Sequence, residues 1–233
     1  EQPYGRTTMQ RDVRWTNFNT LTWKQKVKKH NYDVMLGHEV SYKSTEYLLG
    51  EAMGFPFDQM ENDNMGLGAT PSKVESTYYD KTLLSFYARA NYNYDNRYLF
   101  TATVRADGST VFSSNKKWGF FPSFSAAWRV SEEAFMKDIK WISNFKIRLG
   151  WGTVGNDNIP NYLSLDLYEA NKYGIGNSSV TVLNPKQLRN KNLKWEGSNT
   201  TNLGIDLGFF DNRLNLTAEF FIKNTKDLLL SQS

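Results

Sequence analysis

The sequence contains no cysteine and only two histidines, His30 and His38. Without cysteine the chain can build neither a disulfide framework nor a thiolate metal site. On one extended strand, the spacing between the two histidines would place them too far apart to bind the same ion. We therefore expect no metal site, no cofactor and no catalytic residues, and the chain is not predicted to be an enzyme.

Long apolar runs are also missing, and the mean hydropathy is −0.60. No stretch approaches the roughly 20 apolar residues that a transmembrane helix needs, which excludes a helical membrane protein. Charge of one sign is in small excess, since 28 Lys and Arg residues oppose 24 Asp and Glu residues. Nucleic-acid binding needs a clustered basic face, and no basic run is longer than a pair such as Lys28-Lys29. We therefore expect no nucleic-acid partner.

Aromatic residues are abundant, at 15% of the chain, and they recur in segments that alternate between apolar and polar side chains. An alternation with a period of two residues predicts β-strands. Phe86 and Ala88, for example, share one parity, whereas Tyr87 and Arg89 share the other. Eight strands are predicted in this way, at about 13–23, 32–42, 84–94, 98–105, 123–130, 145–152, 202–209 and 214–223.

Charged side chains occupy only one parity in the seven strands after the first, whose own register the sequence leaves open. This pattern predicts an antiparallel sheet with one apolar and one polar face. Several strands reach about ten residues, and about 9–11 tilted residues cross the hydrocarbon layer of a membrane. The fold class is therefore predicted to be all-β, an antiparallel up-and-down transmembrane β-barrel whose polar parity faces the interior. The expected interior or plug-facing residues are Arg89, Arg105, Arg129, Arg148, Asp206 and Glu219.

Short and long connections alternate along the chain. Tight turns are predicted at 95–97 and 211–213, whereas long loops are predicted at about 43–82 and 155–194. Barrels of the bacterial outer membrane place short turns on the periplasmic side and long loops on the outer side. The alternation therefore favours a membrane barrel over a soluble sheet.

The connection after the strand that ends near Val130 has a different composition. Ser131 can cap a helical turn, and Glu132 and Glu133 would be stabilised by the positive end of its dipole. This predicts a short helix rather than a hairpin turn.

The predicted interior carries more cations than carboxylates. The interior of a closed eight-stranded barrel is just filled by side chains, and an unpaired charge buried there costs several kcal/mol. The final residues, 228–233, leave the last strand toward the long-loop side, whereas a complete barrel would return its C-terminus to the short-turn side. We therefore expect residues 1–233 to form an arc of one larger barrel domain.

Several motifs, in order along most of the chain, resemble the SusC/RagA-like TonB-dependent outer-membrane transporters. No single motif is specific by itself, but their order is. The motifs are Arg105–Ser109, Gly119–Glu133, Lys146–Asn156, Asn192–Glu196, Asn202–Asp206, Asp211–Leu214 and Thr225–Leu229.

The resemblance implies a 22-stranded barrel in the bacterial outer membrane, plugged by an N-terminal domain that this chain lacks, as it lacks the remaining strands. It implies uptake of oligosaccharides or peptides with energy from a TonB complex, which would bind through the absent N-terminal parts. It also implies a SusD-like surface lipoprotein as partner. The chain would then be a wall segment of such a transporter, in contact with outer-membrane lipid.

The aromatic residues of the predicted outer loops are candidates for contact with the substrate or with the lipoprotein lid. They are Tyr47, Phe55, Tyr79, Tyr168 and Tyr173. Two alternatives remain open from the residues alone. One is a soluble β-sandwich that binds carbohydrate, which would pack two sheets face to face over the apolar parity. The other is a passive-pore or structural barrel without TonB coupling.

Overall fold

The computed structural model describes residues 3–56, 64–176 and 178–229. Within these residues, eight strands form one sheet in the order β1-β2-β3-β4-β5-β6-β9-β10, and β7 pairs with β8 in a separate two-stranded sheet. The predicted all-β, antiparallel fold class is confirmed. The strands are β1 (Tyr4–Val27), β2 (His30–Met53), β3 (Thr70–Tyr94), β4 (Tyr98–Ser109), β5 (Trp118–Arg129), β6 (Ile142–Asn156), β7 (Leu167–Ile175), β8 (Ser178–Gln187), β9 (Glu196–Phe209) and β10 (Leu214–Lys226).

The tight turns lie where they were predicted. Asp95 and Asn96 join β3 to β4 with φ angles of 54° each, and Asp211 and Asn212 join β9 to β10 with φ angles of 56° and 60°. Asp and Asn tolerate this left-handed backbone because their short polar side chains bond locally. The Asn96 side chain does so by accepting a hydrogen bond at its Oδ1 from Asn93 Nδ2 at 2.8 Å.

The predicted loop at 43–82 is wrong for most of its length. β2 continues to Met53 and β3 begins at Thr70, so the connection covers only residues 54–69 and contains a 3-10 turn, Met65–Leu67. The alternation of apolar and polar residues weakens in these strand extensions, and therefore the sequence pattern did not reveal them. The predicted loop at 155–194 is also partly wrong, because β7 and β8 form a hairpin inside it.

The connection between β5 and β6 contains two 3-10 turns, Val130–Glu132 and Ala134–Met136. The predicted short helix is present only as these two 3-10 turns of three residues each, and the predicted cap is wrong. Ser131 lies inside the first turn, and no side chain caps either turn. None of the helical turns in the described residues is long and apolar enough to cross a membrane.

The chain divides into two compact units, one made of Glu1–Asn17 and Ser41–Thr82, the other of Phe18–Val40 and Leu83–Ser233. In the first unit, the buried apolar side chains are those of Leu49, Ala52 and Phe55. In the second unit they are those of Val111, Phe112, Val130 and Met136, all in connections at the strand ends. In the first unit, Leu49 and Ala52 belong to β2, whereas in the described part of the second unit none of the buried apolar side chains lies in a strand.

The apolar parity of the second unit is exposed. Leu36, Leu149 and Leu216 keep 54%, 50% and 55% of their surface accessible. A β-sandwich would cover these side chains with a second sheet, but in the described residues all eight long strands belong to one sheet. The soluble β-sandwich alternative is therefore wrong.

Candidate functional site

The polar parity of β3 to β6, β9 and β10 forms one continuous face. The antiparallel registers align the polar positions of each strand with those of the next, and the one register shift in these pairings lies at the start of β6, between Ile142 and Asn144. The predicted two-faced sheet is therefore confirmed. One row across the polar face consists of Asn91, Thr101, Ser125, Gly150, Asn202 and Phe221.

Arg148 is the centre of a charged cluster on this face. Its Nε donates to Asp206 Oδ2 at 2.8 Å and its Nη2 donates to Asp206 Oδ1 at 3.1 Å, which is the bidentate geometry of a strong pair. Its Nη1 lies 3.6 Å from Glu219 Oε1. Thr217 also donates to Asp206 Oδ1, at 3.2 Å.

Gly204 makes this cluster possible. It pairs with Arg148 on one side and with Glu219 on the other, so the arginine must cross β9 to reach β10. A Cβ at Gly204 would lie 2.8 Å from Arg148 Cζ. The absence of a side chain at this position therefore lets the guanidinium lie flat over the strand.

Arg105 is the centre of a second cluster. Its Nε donates to Asp107 Oδ1 at 2.8 Å, and its Nη2 donates to Ser85 Oγ at 2.9 Å. Glu39 lies 3.5 Å away, and the guanidinium carbon lies 5.5 Å from the centre of the Tyr87 ring. Asp107, which is 6% exposed, was missed as a candidate, although it continues the polar parity two residues after Arg105.

The six predicted interior residues therefore fall into separate places on the same face. Arg148, Asp206 and Glu219 come together, whereas Arg105 belongs to its own cluster. Arg89 Nη2 lies 3.9 Å from Met35 Sδ, and Arg129 Nη2 lies 3.4 Å from Glu132 Oε1. Whether they face a barrel interior stays a prediction.

Small side chains cover the polar face between the two clusters. They line a shallow depression of about 600 Å³ along β5 and β6. At Gly150, a Cβ would collide with Asn202 Oδ1, so a larger residue here would force the Asn202 side chain to move. The small lining residues include Thr101, Ser123, Ser125, Ala127, Gly152 and Thr200.

The opposite face carries an aromatic band at each end of β5. Trp118 and Trp128 lie ten positions apart on the same parity, and both are exposed, at 54% and 37%. Ten residues of strand rise about 33 Å, and with the usual tilt of a barrel strand this spans about 25 Å along the membrane normal. That height equals the apolar band of an outer-membrane barrel, and amphipathic rings favour its two boundaries.

Glu133 holds the short-connection end together. Its Oε1 accepts from the Tyr98 hydroxyl at 2.6 Å and from Trp128 Nε1 at 3.1 Å, and its Oε2 accepts from Arg97 Nη1 at 3.2 Å. These donors, Tyr98 first, hold the pKa of Glu133 below its usual value. Sequence reasoning assigned Glu133 only to a helix dipole, because two of its three partners, Arg97 and Tyr98, are distant in the chain.

Asp95 extends this network to the neighbouring turn. Lys29 Nζ donates to Asp95 Oδ2 at 2.8 Å, and Arg97 Nη2 donates to the same oxygen. Both donors, Lys29 first, hold the pKa of Asp95 below its usual value. The turn between β1 and β2 is thereby tied to the turn between β3 and β4.

Trp195 holds the long-connection end together. Its Nε1 donates to the backbone oxygen of Lys117 at 2.8 Å, and its ring centre lies 5.3 Å from that of Phe112 and 5.3 Å from that of Phe121. Phe121 pairs with Arg105 and therefore belongs to the polar face. The 110–117 connection is thus packed toward the polar side of the sheet.

The five loop aromatics have different surroundings from those predicted. Tyr47 lies in β2 and Tyr79 in β3, both half-buried, so neither is a loop residue. Phe55 lies in the 54–69 connection but is only 4% exposed, which contradicts its assignment as a contact residue. Tyr168 and Tyr173 lie in β7 and are 62% and 49% exposed. Only these last two present their rings freely within the described residues.

The described residues contain no group of three or more His, Asp or Glu side chains that could hold a metal ion. The polar face instead offers paired charges, hydroxyls and amides. Such groups can bind water, polar solutes or another protein surface.

Comparisons with known proteins agree with this geometry. Residues 2–233 match the family model described as TonB dependent receptor-like, beta-barrel. The chain is 43% identical over 155 residues to the TonB-dependent receptor SusC of Bacteroides thetaiotaomicron, an alignment that covers 64% of this chain and 15% of that protein. It is 34% identical over 211 residues to the TonB-dependent receptor P3 of Formosa agariphila, covering 91% of this chain and 21% of that protein.

Solved structures show the same similarity. The chain superposes on a subunit of the RagAB peptide transporter with a TM-score of 0.86 and 27% identity, covering 97% of this chain and 25% of that chain. The RagAB peptide importer in its open-open state gives a TM-score of 0.85 with 28% identity, covering 97% of this chain and 24% of that chain. The chain therefore spans a quarter or less of the length of these relatives.

Proposed function

Because this chain belongs to the TonB-dependent receptor β-barrel family and hence to the outer membrane of Gram-negative bacteria, we propose that it forms part of the wall of an active transporter. The transporter imports oligosaccharides or peptides with energy from a TonB complex. The TonB complex acts through parts of the protein outside this chain.

The observation that carries the proposal is the pair of faces on one sheet. One face is apolar, exposed and limited by aromatic bands about 25 Å apart, which suits lipid. The other carries hydrogen-bonded charge clusters and a depression floored by small side chains, which suits a wet interior or a plug domain. Arg89, Arg105, Arg129, Arg148, Asp206 and Glu219 are accordingly assigned to the interior.

The substrate class rests on the relatives. RagAB is a peptide transporter, and SusC is a TonB-dependent receptor with 43% identity over the aligned part. A wall with paired charges and many hydroxyls suits a polar solute, whether it is a peptide or an oligosaccharide. The same relatives support a SusD-like surface lipoprotein as partner, and the exposed rings of Tyr168 and Tyr173 are available to contact it or the substrate.

An uptake experiment tests this function. The gene for the intact receptor is deleted in its host, and uptake of fluorescently labelled oligosaccharide and peptide mixtures is measured in the deletion strain, the complemented strain and a strain without TonB. We expect uptake of one of the two mixtures to need both the receptor and TonB. Uptake that needs the receptor but persists without TonB would instead identify a passive pore.

A further inference from the structure

A cavity of about 650 Å³ lies between the 110–117 connection and the segments 162–165 and 189–191. Its lining is rich in cations and hydroxyl groups, and none of the carboxylates that the structure describes lines it. The lining residues that matter for the argument are Ser113, Ser114, Lys117, Tyr162, Arg189 and Lys191. Ligand sites of about 300–1,000 Å³ are common in proteins.

The cations of this cavity are only lightly neutralised. Lys117 and Lys191 form no ion pair with any residue that the structure describes, whereas Arg189 Nε lies 3.4 Å from Asp166 Oδ2. That pair is exposed, at 50% and 38%, so it leaves most of the donors of the guanidinium accessible. The cavity therefore has a positive character with unused donors.

Backbone contacts hold both walls in place. On one wall, Ser109 N donates to the Lys117 oxygen at 3.1 Å, and the Trp195 indole donates to the same oxygen. On the other wall, Asn190 N donates to the Leu163 oxygen at 3.1 Å, and Arg189 N donates to Asp166 Oδ1 at 2.9 Å. The cavity is thus preformed, which lowers the entropic cost of binding.

The cavity also lies where a solute would enter. It is at the long-connection end, which faces the outside of the cell in outer-membrane barrels. The 110–117 connection packs through Phe112 and Trp195 against Phe121 on the polar side of the sheet. The cations therefore stand at the mouth of the proposed interior rather than on the lipid side.

We propose that this cavity is a binding subsite for the anionic groups, carboxylate or sulfate, of an acidic oligosaccharide. The cations bind the anion, and the hydroxyl groups of Ser113, Ser114 and Tyr162 suit the hydroxyls of a sugar better than they suit an apolar peptide side chain. This inference rests on the proposed import function and narrows its substrate.

Binding measurements on the intact purified receptor test the subsite. The probes are hexagalacturonate, a sulfated carrageenan hexasaccharide, neutral maltohexaose and hexaglutamate, each titrated by calorimetry at two salt concentrations. We expect at least one of the two anionic sugars to bind about tenfold or more tightly than maltohexaose and hexaglutamate. We also expect its affinity to fall with added salt, because the contact is between exposed charges.

The variant Lys117→Gln/Lys191→Gln should weaken binding of that sugar roughly tenfold, since hydrogen bonds to charged groups contribute more than neutral ones. The control Lys172→Gln/Lys186→Gln removes the same charge from exposed positions of β7 and β8 that do not line the cavity, and it should bind like wild type. Lys117→Arg/Lys191→Arg keeps the charge and should retain binding, which separates lost charge from lost folding.

Equal loss in the two Gln variants, or no preference of wild type for either anionic sugar, overturns the subsite. A preference for hexaglutamate also overturns it and assigns the cavity to acidic peptides. In each case TonB-dependent uptake can remain intact, so failure of this inference is distinct from failure of the proposed function.

Discussion

Neighbouring residues of one strand have opposite surroundings on the two faces of this sheet. On the apolar face, Phe124 and Leu149 are exposed without any charge beside them, and Trp118 and Trp128 lie at the two ends of β5. On the polar face, Arg105 and Arg148 each bind a carboxylate through short hydrogen bonds. The difference suits a sheet whose first face contacts lipid and whose second face contacts water or protein, as the proposed function requires.

A charge placed on the apolar face should lower the free energy of unfolding of the receptor more than any other change considered below. Ala102 is exposed on that face near the middle of β4, and Ala102→Arg should destabilise the intact receptor by about 2–4 kcal/mol, the cost of Arg near the bilayer midplane. The measurement is urea unfolding of the receptor in lipid vesicles, followed by the heat-modifiable shift on gels.

The matched control is Ser125→Arg, which adds the same side chain to the polar face of neighbouring β5. We expect it to change the free energy of unfolding by less than about 1 kcal/mol, because the added guanidinium stays in a polar environment. Equal costs for the two variants would contradict the assignment of lipid to one face only.

Removal of a charge partner should have a smaller effect on the polar face. Asp206→Asn removes the bidentate ion pair of Arg148 and leaves the longer contact to Glu219 as its ion pair, and we expect a loss of about 1–2 kcal/mol, between the values for exposed and buried pairs. The same unfolding assay measures it.

Glu219→Gln is its control, since Glu219 is 46% exposed and lies 3.6 Å from Arg148. It should cost less than about 0.5 kcal/mol, as exposed pairs do. A larger loss for Glu219→Gln than for Asp206→Asn would show that the bidentate pair is not the stabilising contact.

Acidification should give the smallest loss of stability, and it acts through Glu133 in the connection between β5 and β6. The pKa of Glu133 is lowered by Tyr98, Trp128 and Arg97, so its contribution is complete above its ordinary value and is lost as pH falls through the lowered value. Wild-type receptor should therefore lose more stability between pH 5 and pH 3 than Glu133→Gln, in unfolding midpoints measured across that range.

Glu132→Gln provides the comparison, because Glu132 is a neighbouring carboxylate that makes none of the three contacts of Glu133. It should keep the acid sensitivity of wild type. If Glu133→Gln is as sensitive to acid as wild type, the network does not act through ionised Glu133.

The strand predictions succeeded where alternation was strict and failed where it was not. From β4 to β6 and in β9 and β10, neighbouring side chains lie on opposite faces of the sheet, one apolar and one polar, and therefore the pattern is visible in the residues themselves. In the extensions to Met53 and from Thr70, polar and apolar residues mix, and the sequence suggested a loop. The hairpin of β7 and β8 was hidden in the same way.

The candidate site was predicted only in part. The parity of Arg148, Asp206 and Glu219 was readable, but their joining across Gly204 depends on a register between three strands. Glu133 and its three donors come from three separate segments, so no local pattern contains them. The burial of Phe55 depends on the packing of its own connection and could not be read from its aromatic character.

The sequence alone determined the all-β class, the two parities of the sheet and the positions of the tight turns, because strand periodicity and left-handed turn residues act over a few neighbouring positions. The motifs also carried the family resemblance. Only the tertiary structure decided which charges pair, where the strands of the first unit end, and that Lys117 and Lys191 line one cavity. These outcomes depend on contacts between residues that are distant in the chain, and such contacts exist only once the strands are in register.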